Sequence, residues 1–514
     1  MSNQSKDNLF VLIKSLSSSE KRQFKVYVNR LGVNVDAKFL LLFNLLDKMT
    51  EFDENDILRS KIVTKLQLSN LKAHLYKQIL ISLRLNPVNQ NVRISIREQL
   101  DFATILYQKG LYKQSLKILD KTKILALEND EKNIAFEIVE LEKVIESQYI
   151  TRSIFGRADE LVLQAKALSV QNVFASKLSN ISLQLYSLML KSGYAKSDSE
   201  MQQLSDYFNS RMPKYDIETL GFREKLWLYQ AHLWHSFLIQ DFLSCYKFAN
   251  KWVDLFNENP QMIVSNPVWY IKGNSYLMEC LYLLKHKSKI HQVLNLFEQN
   301  SLSPNFPKND NTNSLCFLCI FNSKFNLHFL EGDFEGGHYL VDTVLDGIKN
   351  HENRIDNHHV MVFYYKIASL YFGMGDNKNC ILFLDKIIQN KSLSMREDLM
   401  CFARVLSLVA HYECGLDQLM EQQLKSTYAF LIKMNELHGV QREMVKFLKN
   451  LGNIYPDELK NEFKKLHSQL LVFENHPYEK RAFLYLDIIS WLESKINNQP
   501  VALIIQQKAK KLLR

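Results

Sequence analysis

The sequence predicts a fold made of α-helices alone. Only 15 of the 514 residues are glycine and 9 are proline, whereas average usages are about 7% and 5%. The tight turns, bulges and left-handed corners of β-sheet proteins need those two residues more often than long helices do. Apolar residues also recur at i, i+3, i+4 and i+7, which is the spacing of one helix face. With 46% hydrophobic and 23% charged residues, the chain is expected to fold around a core.

The start of the chain and its cysteines predict a cytoplasmic protein. The first 25 residues hold only a short apolar patch between charged side chains, whereas a signal peptide needs a longer apolar segment and a small-residue cleavage site. The longest apolar runs, near Phe39 and Leu277, are about eight residues, well below the ~18 of a membrane span. Seven cysteines at scattered positions favour reduced, mostly buried thiols over a disulfide framework.

Residues 1–95 are predicted to form a basic helical module. The first 100 residues carry 16 Lys and Arg against 9 Asp and Glu, whereas the other 414 carry 48 against 46. Ser17 and Glu20 match a capping box, and Gly32 suits a helix end. The acidic run 51–56 lacks the glycine and the twelfth-position glutamate of a calcium loop, so it is interpreted as the start of a helix. The predicted helices span about 6–16, 18–31, 37–49, 54–63 and 69–86.

Six cations of this module form a candidate contact with nucleic acid. Apolar stripes in the second and fifth predicted helices leave these side chains towards solvent. The succession of helices resembles a helix-turn-helix unit, which implies that the cations contact phosphate. Residues 62–70 lack the small-residue turn of such units, and the alternative is a bundle that caps the rest of the chain and displays solvated lysines. The six residues are Lys21, Arg22, Lys25, Lys72, Lys77 and Arg84.

Residues 96–435 contain a degenerate repeat. The segment YYKIASLYFGMGDNKNCILFLDKII, from Tyr364, places small or apolar residues at eight spaced positions, and the segment 97–130 has the same pattern around Gly110. This pattern resembles the tetratricopeptide repeat, in which two antiparallel helices pack through small residues. The resemblance implies helix pairs stacked into an α-solenoid, with residues 436–514 as capping helices. The eight positions are Tyr364, Ile367, Ala368, Tyr371, Gly375, Cys380, Leu384 and Ile387.

The turns between paired helices predict a repeat longer than the standard 34 residues. Their spacings lie between 40 and 47 residues, so the helices are expected to be longer or the connections looser. The predicted turns are at Gly110, near Thr151, and at Gly193, Gln240, Lys287, Gly332, Gly375 and Gly415.

The resemblance also implies a partner-binding face on the first helix of each pair. Aromatic and amide side chains there suit a protein or peptide partner, so the leading hypothesis is a non-enzymatic scaffold that needs no cofactor. The alternative for each side chain is burial between helices. The alternative function is a nucleic-acid-associated regulator, and the oligomeric state is left open. The candidate residues are Trp227, Gln230, Trp234, Phe237, Asn322, Asn326, Phe329, Tyr365, Ser369 and Phe372.

The sequence predicts no catalytic, cofactor-binding or metal-binding residue. It contains no phosphate-binding glycine loop, no GxSxG and no HExxH. Cys316 and Cys319 form a CxxC without a second pair at zinc-finger spacing, so they are interpreted as buried thiols. His232 and His235 share a helix face without a third ligand and are interpreted as packed histidines. The pair 358–359 precedes a predicted helix and is interpreted as a cap or loop.

Overall fold

The described residues of a computed structural model form α-helices and one 3-10 turn, and none of them lies in a strand. The predicted all-α fold is therefore confirmed. The chain divides into two compact units, Met1–Ser153 and Ile154–Arg514, while the predicted three-part division stays a prediction. The structure describes residues 7–30, 38–86, 91–149, 155–352, 354–390, 397–415, 417–433, 439–450, 455–474, 476–479, 483 and 487–511.

The first unit begins with five helices, as the sequence predicts, but the fourth ends and the fifth begins four residues earlier than predicted, at Arg59 and Lys65. Helices α1, α2, α3 and α5 surround an apolar core in which the Phe24 and Phe43 rings lie 4.7 Å apart. The predicted capping box is present, because the Ser17 amide donates to Glu20 Oε2 and the Glu20 amide donates to Ser17 Oγ. Gly32 lies outside the described residues. The helices are α1 Asn8–Ser15, α2 Ser18–Arg30, α3 Lys38–Lys48, α4 Glu54–Arg59, α5 Lys65–Arg84, α6 Val92–Gln108, α7 Tyr112–Glu128 and α8 Lys132–Tyr149.

The pair α6 and α7 has the predicted turn and small-residue contact. Gly110 adopts a left-handed conformation with φ 74°, which glycine accepts without the strain that a Cβ would bring. Ser115 Oγ donates to the carbonyl of Ala103 over 2.8 Å, and both residues are fully buried. The two helix backbones can approach closely here because both side chains are small.

The second unit is a succession of helices that pack mainly on their neighbours in chain order, an all-α solenoid-like arrangement. They are α9 Arg157–Ser192, α10 Asp198–Arg211, α11 Phe222–Leu238, α12 Phe242–Glu258, α13 Gln261–Ser265, α14 Pro267–Leu283, α15 Lys287–Leu302, α16 Asp310–Glu331, α17 Phe334–His338, α18 Val341–Asn350, α19 Asn357–Met374, α20 Asn377–Ile388, α21 Glu397–Glu413, α22 Asp417–Lys433, α23 Gly439–Asn450, α24 Pro456–Glu474, α25 Ile488–Asn497 and α26 Val501–Lys511.

Four consecutive turns in this unit share one geometry. After each first helix, a residue with positive φ is followed by an amide that donates to the carbonyl five residues earlier, at 2.8–3.0 Å, as in a Schellman motif. The second turn of this series was predicted two residues too late: Lys285 (φ 59°), not Lys287, has the left-handed conformation. Lysine rarely adopts this backbone conformation, so the sequence does not mark Lys285 as a turn residue. The four turn residues are Gln240, Lys285, Gly332 and Gly375.

The segment around Gly193 departs from the predicted pairing. Helix α9 runs for 36 residues, and Gly193 is its C-cap with φ 68°. Helix α9 packs mainly against α11, so Gly193 is not the turn of a repeat pair. The predicted turn near Thr151 lies outside the described residues.

The carboxy-terminal helices pack back on the stack. Helix α24 begins at Pro456, as predicted. Helix α26 contacts α16 and α19, and Gln506 Nε2 donates to the carbonyl of Gly332 over 3.1 Å. Within the described part of the chain, every helix is either too short or too polar to traverse a bilayer.

Candidate functional site

The first helices of four consecutive pairs, α11, α14, α16 and α19, place equivalent residues in one register. Counting six residues back from each turn residue gives one position per helix: Trp234, Glu279, Asn326 and Ser369. We call the surface around this register the first-helix face. Side chains of α11 and α14 form an aromatic half of this face, and side chains of α14, α16 and α19 form a polar half.

The polar half holds a chain of hydrogen bonds across three helix pairs, which we call the polar ladder: Glu279, Asn322, Asn326 and Lys366. Lys366 Nζ donates to Asn326 Oδ1 over 2.7 Å and to the carbonyl of Asn322 over 3.2 Å. Asn326 Nδ2 donates to Glu279 Oε2 over 3.3 Å. Asn322 Oδ1 is buried without a hydrogen-bond donor, so the ladder has one buried acceptor to satisfy.

Burial changes the acidity of the lysines on this face. It lowers the pKa of Lys366 to about 8, and the nearby Glu279 carboxylate opposes only part of that change. Burial also lowers the pKa of Lys272 on α14, whose ammonium lies 5.3 Å from the Trp269 ring centre. Both lysines are half-buried, so each has given up hydration that an anionic or carbonyl group of a partner would replace.

The aromatic half packs α11 against α14. The Trp227 and Trp269 rings lie 4.8 Å apart at 73°, and the Trp234 and Tyr276 rings lie 5.2 Å apart at 78°. These edge-to-face contacts add stability beyond burial alone. Most of this aromatic surface is therefore part of the core of the second unit.

The ten candidate partner-binding residues divide by burial. Six are buried between helices, which is the alternative to partner binding given above: Gln230, Trp234, Phe237, Asn326, Tyr365 and Phe372. Four are half-buried: Trp227, Asn322, Phe329 and Ser369. The six buried side chains cannot contact a partner unless the helices move, whereas the other four can. Partner binding by any of the ten stays a prediction.

Sequence reasoning missed two members of the polar ladder. Glu279 stands six residues before Lys285, and placing that turn at Lys287 hides its register. Lys366 is nine residues before Gly375, off the projected positions, and its contacts come from α16 of the preceding pair. A corrected turn would have identified Glu279 from sequence, but no sequence signal marks Lys366.

The six cations of the amino-terminal module do not form one free basic surface. Lys21 Nζ lies 2.7 Å from Asp47 Oδ1, and Arg84 pairs with Asp101 over 3.0 Å. Lys72 pairs with Asp7. The Lys25 ammonium lies 5.9 Å from the Phe43 ring centre, while Arg22 and Lys77 are exposed. Carboxylates next to three of the six cations weaken the attraction that this module would exert on phosphate.

The histidine pair packs against aromatic rings as the sequence predicts, whereas only one of the two cysteines interpreted as buried thiols is fully buried. Cys319 is buried and Cys316 half-buried on α16, and burial raises the pKa of the Cys316 thiol to about 11. None of the seven cysteines forms a disulfide. His232 stacks on Phe248 and His235 on Phe208, at 4.4 and 4.3 Å between ring centres. Burial, aided by nearby cations, lowers the pKa of His232 to about 4, so this ring is neutral at pH 7.

Two further interpretations concern helix starts. The interpretation of His358 and His359 as a cap or loop before the helix is wrong, because both lie in the first turn of α19 and Asp356 is the N-cap, with its Oδ1 2.8 Å from His359 Nδ1. The acidic run 51–56 includes the N-cap Asp53 and the first turn of α4, as predicted.

Compared with protein-family models and with curated proteins, the chain matches none of either. The resemblance to the tetratricopeptide repeat therefore rests on the residues quoted above.

Proposed function

We propose that the protein is a non-enzymatic, tetratricopeptide-like scaffold that binds an extended segment of a protein partner along the first-helix face. The polar ladder carries this proposal, because it joins three helix pairs through one buried and three half-buried residues and holds a buried, unpaired acceptor. A polar chain of this kind costs stability unless its groups are satisfied. Partner binding gives a reason for keeping it.

The chemistry of the ladder suits a peptide backbone. The Lys366 and Lys272 ammonium groups can donate to backbone carbonyls or to carboxylates, and Asn322 Oδ1, which is buried in the unbound chain, can accept a backbone amide when its side chain turns towards the partner. Hydrogen bonds to an extended backbone give affinity, and pockets between them give specificity. The half-buried rings of Trp227 on α11 and Phe329 on α16 would supply apolar contact area.

Capture of the partner by matched variants of the full chain tests this proposal. We expect the wild-type protein to retain a protein partner that Asn322→Ala and Lys366→Gln both lose, because each substitution removes a group that the peptide would contact. The controls are Asn295→Ala and Lys349→Gln, which change exposed residues on α15 and α18. Retention by all four variants, quantified by mass spectrometry, would exclude the ladder as the binding site, and recovery of nucleic acid instead would favour the regulator hypothesis.

The low pKa of Lys366 predicts a pH-dependent stability difference. An unfolded lysine titrates near 10.5, against about 8 in the fold. Between those values the unfolded chain binds more protons, so the wild-type protein gains stability as pH rises, while below pH 8 the cost of the buried charge is fully present. We therefore compare the free energy of unfolding of Lys366→Met with that of the wild type. The difference, variant minus wild type, should fall by about 1–2 kcal/mol between about pH 7 and pH 10. This magnitude is smaller than the full pKa change implies, because the Lys366 ammonium stays partly hydrated.

Urea unfolding at several pH values measures this difference. Lys349→Met is the control for the loss of a lysine, because the Lys349 side chain is 78% exposed. A pH-independent difference for Lys366→Met would show that the Lys366 ammonium is as well hydrated in the fold as in the unfolded chain.

A further inference from the structure

A group of metal-binding side chains lies at the turn after α16, away from the polar ladder. His328 and Glu331 stand in the last turn of α16, and Asp333 follows the left-handed Gly332. One ligand atom from each of the three lies within 4.8 Å of the others, and His328 Nδ1 is 3.1 Å from Asp333 Oδ2. The local backbone brings them together, because the turn folds Asp333 back under the last helical turn, where its amide donates to the His328 carbonyl.

We propose that His328, Glu331 and Asp333 bind a divalent transition-metal ion, with Zn²⁺ as the best match. Ligand atoms in a tetrahedral zinc site stand about 3.4 Å apart for bonds of about 2.1 Å, so the three atoms need to move by little more than 1 Å. An imidazole with two carboxylates suits Zn²⁺ or Mn²⁺, whereas Ca²⁺ and Mg²⁺ prefer sites made of oxygen alone. Three protein ligands leave one position for water. This proposal does not depend on the scaffold function.

The neighbouring helix orients one of the ligands. His291 Nε2, on α15, lies 3.1 Å from Glu331 Oε1, and Lys287 Nζ lies 3.0 Å from the same oxygen. The His291 contact holds the Glu331 carboxylate in place, as outer partners of metal ligands do, whereas Lys287 neutralises part of the carboxylate charge. The side chains are 24% exposed at His328 and Glu331 and 49% at Asp333, so an ion can enter from solvent. Asp333 Oδ1 accepts the Gly336 amide, which fixes this carboxylate as the cap of α17.

Replacing Lys287 tests the direction in which the zinc affinity changes. Its ammonium is a fixed positive charge beside the ion, so it opposes binding of a cation. Lys287→Gln removes that repulsion and should tighten Zn²⁺ binding by about 3–10-fold. A purely structural role for the cluster predicts no such gain, since the substitution then only removes an ion pair.

Calorimetric titration of the full, tag-free and chelator-treated chain with Zn²⁺ tests the proposal. We expect one equivalent to bind to the wild type, at least about tenfold weaker binding to His328→Gln, and tighter binding to Lys287→Gln. His359→Gln is the matched control, because His359 contacts one carboxylate, that of Asp356, at the start of α19, and its affinity should equal that of the wild type. Circular dichroism verifies that each variant is folded.

The absorption of bound Co²⁺ reports the coordination geometry, and a tetrahedral spectrum that disappears in His328→Gln is expected. Binding of less than one equivalent of Zn²⁺ by the wild type, or equal affinities of the wild type and His328→Gln, would overturn the proposal.

Discussion

Replacing Trp252 with alanine is expected to lower the free energy of unfolding by about 3–5 kcal/mol. The Trp252 side chain on α12 is fully buried and lies against α14, where the rings of Trp269 and Tyr276 are 6.1 and 5.8 Å away. The substitution leaves a large cavity that packed helices cannot close. Because Trp252 Nε1 has no hydrogen-bond partner, Trp252→Phe should cost clearly less, and it serves as the control.

A double-mutant cycle with Gly273 tests the same contact from the other side. A Cβ at Gly273 would stand 2.8 Å from Trp252 Cδ1, so Gly273→Ala alone should cost about 1–3 kcal/mol through overpacking. In the Trp252→Ala background the added methyl group enters the cavity, and this cost should disappear. A coupling below about 0.5 kcal/mol would show that α12 and α14 do not pack in this way. All five tryptophans lie in the second unit, so fluorescence during urea unfolding reports that unit alone.

Replacing Ala368 with leucine is expected to cost about 1–3 kcal/mol. Ala368 on α19 and Cys380 on α20 are fully buried, and they are twelve residues apart. Two other helix pairs have a contact with the same separation. The Ser115 side chain donates to the carbonyl of Ala103, and the Cys245 side chain donates to the carbonyl of Leu233. A larger side chain at Ala368 therefore forces the two helices apart.

Ala167→Leu is the control for this substitution. Ala167 is exposed on α9, so its replacement should change the free energy of unfolding by less than about 0.5 kcal/mol. Equal unfolding midpoints for Ala368→Leu and the wild type would contradict the register assigned to this helix pair.

The features predicted correctly are those with a local chemical cause. Gly110, Gly332 and Gly375 mark turns because a left-handed backbone favours glycine, and Ser17 marks a helix start through its own hydrogen bond. Lys285 shows the limit, because nothing in the local sequence distinguishes it from other lysines. The length of α9 is a second example, because no residue before Gly193 marks an earlier end of the helix.

The candidate site was predictable only in part. Asn322 and Asn326 follow from their distance to the Gly332 turn, but the burial of Trp234 depends on Tyr276 and Tyr186, which come from other helices. Whether a side chain on a first helix faces solvent or a neighbouring helix is a property of the stack. The sequence of a single repeat does not contain that information.

Site-specific photocrosslinking tests most directly whether a partner binds along the first-helix face. A benzophenone amino acid in place of half-buried Trp227 or Phe329 should form a covalent adduct with the partner when the full chain is irradiated with its captured ligand. The same amino acid in place of Tyr339, an aromatic residue that is 83% exposed near α18, should not. Adducts at Tyr339 with none at Trp227 and Phe329 would contradict the account.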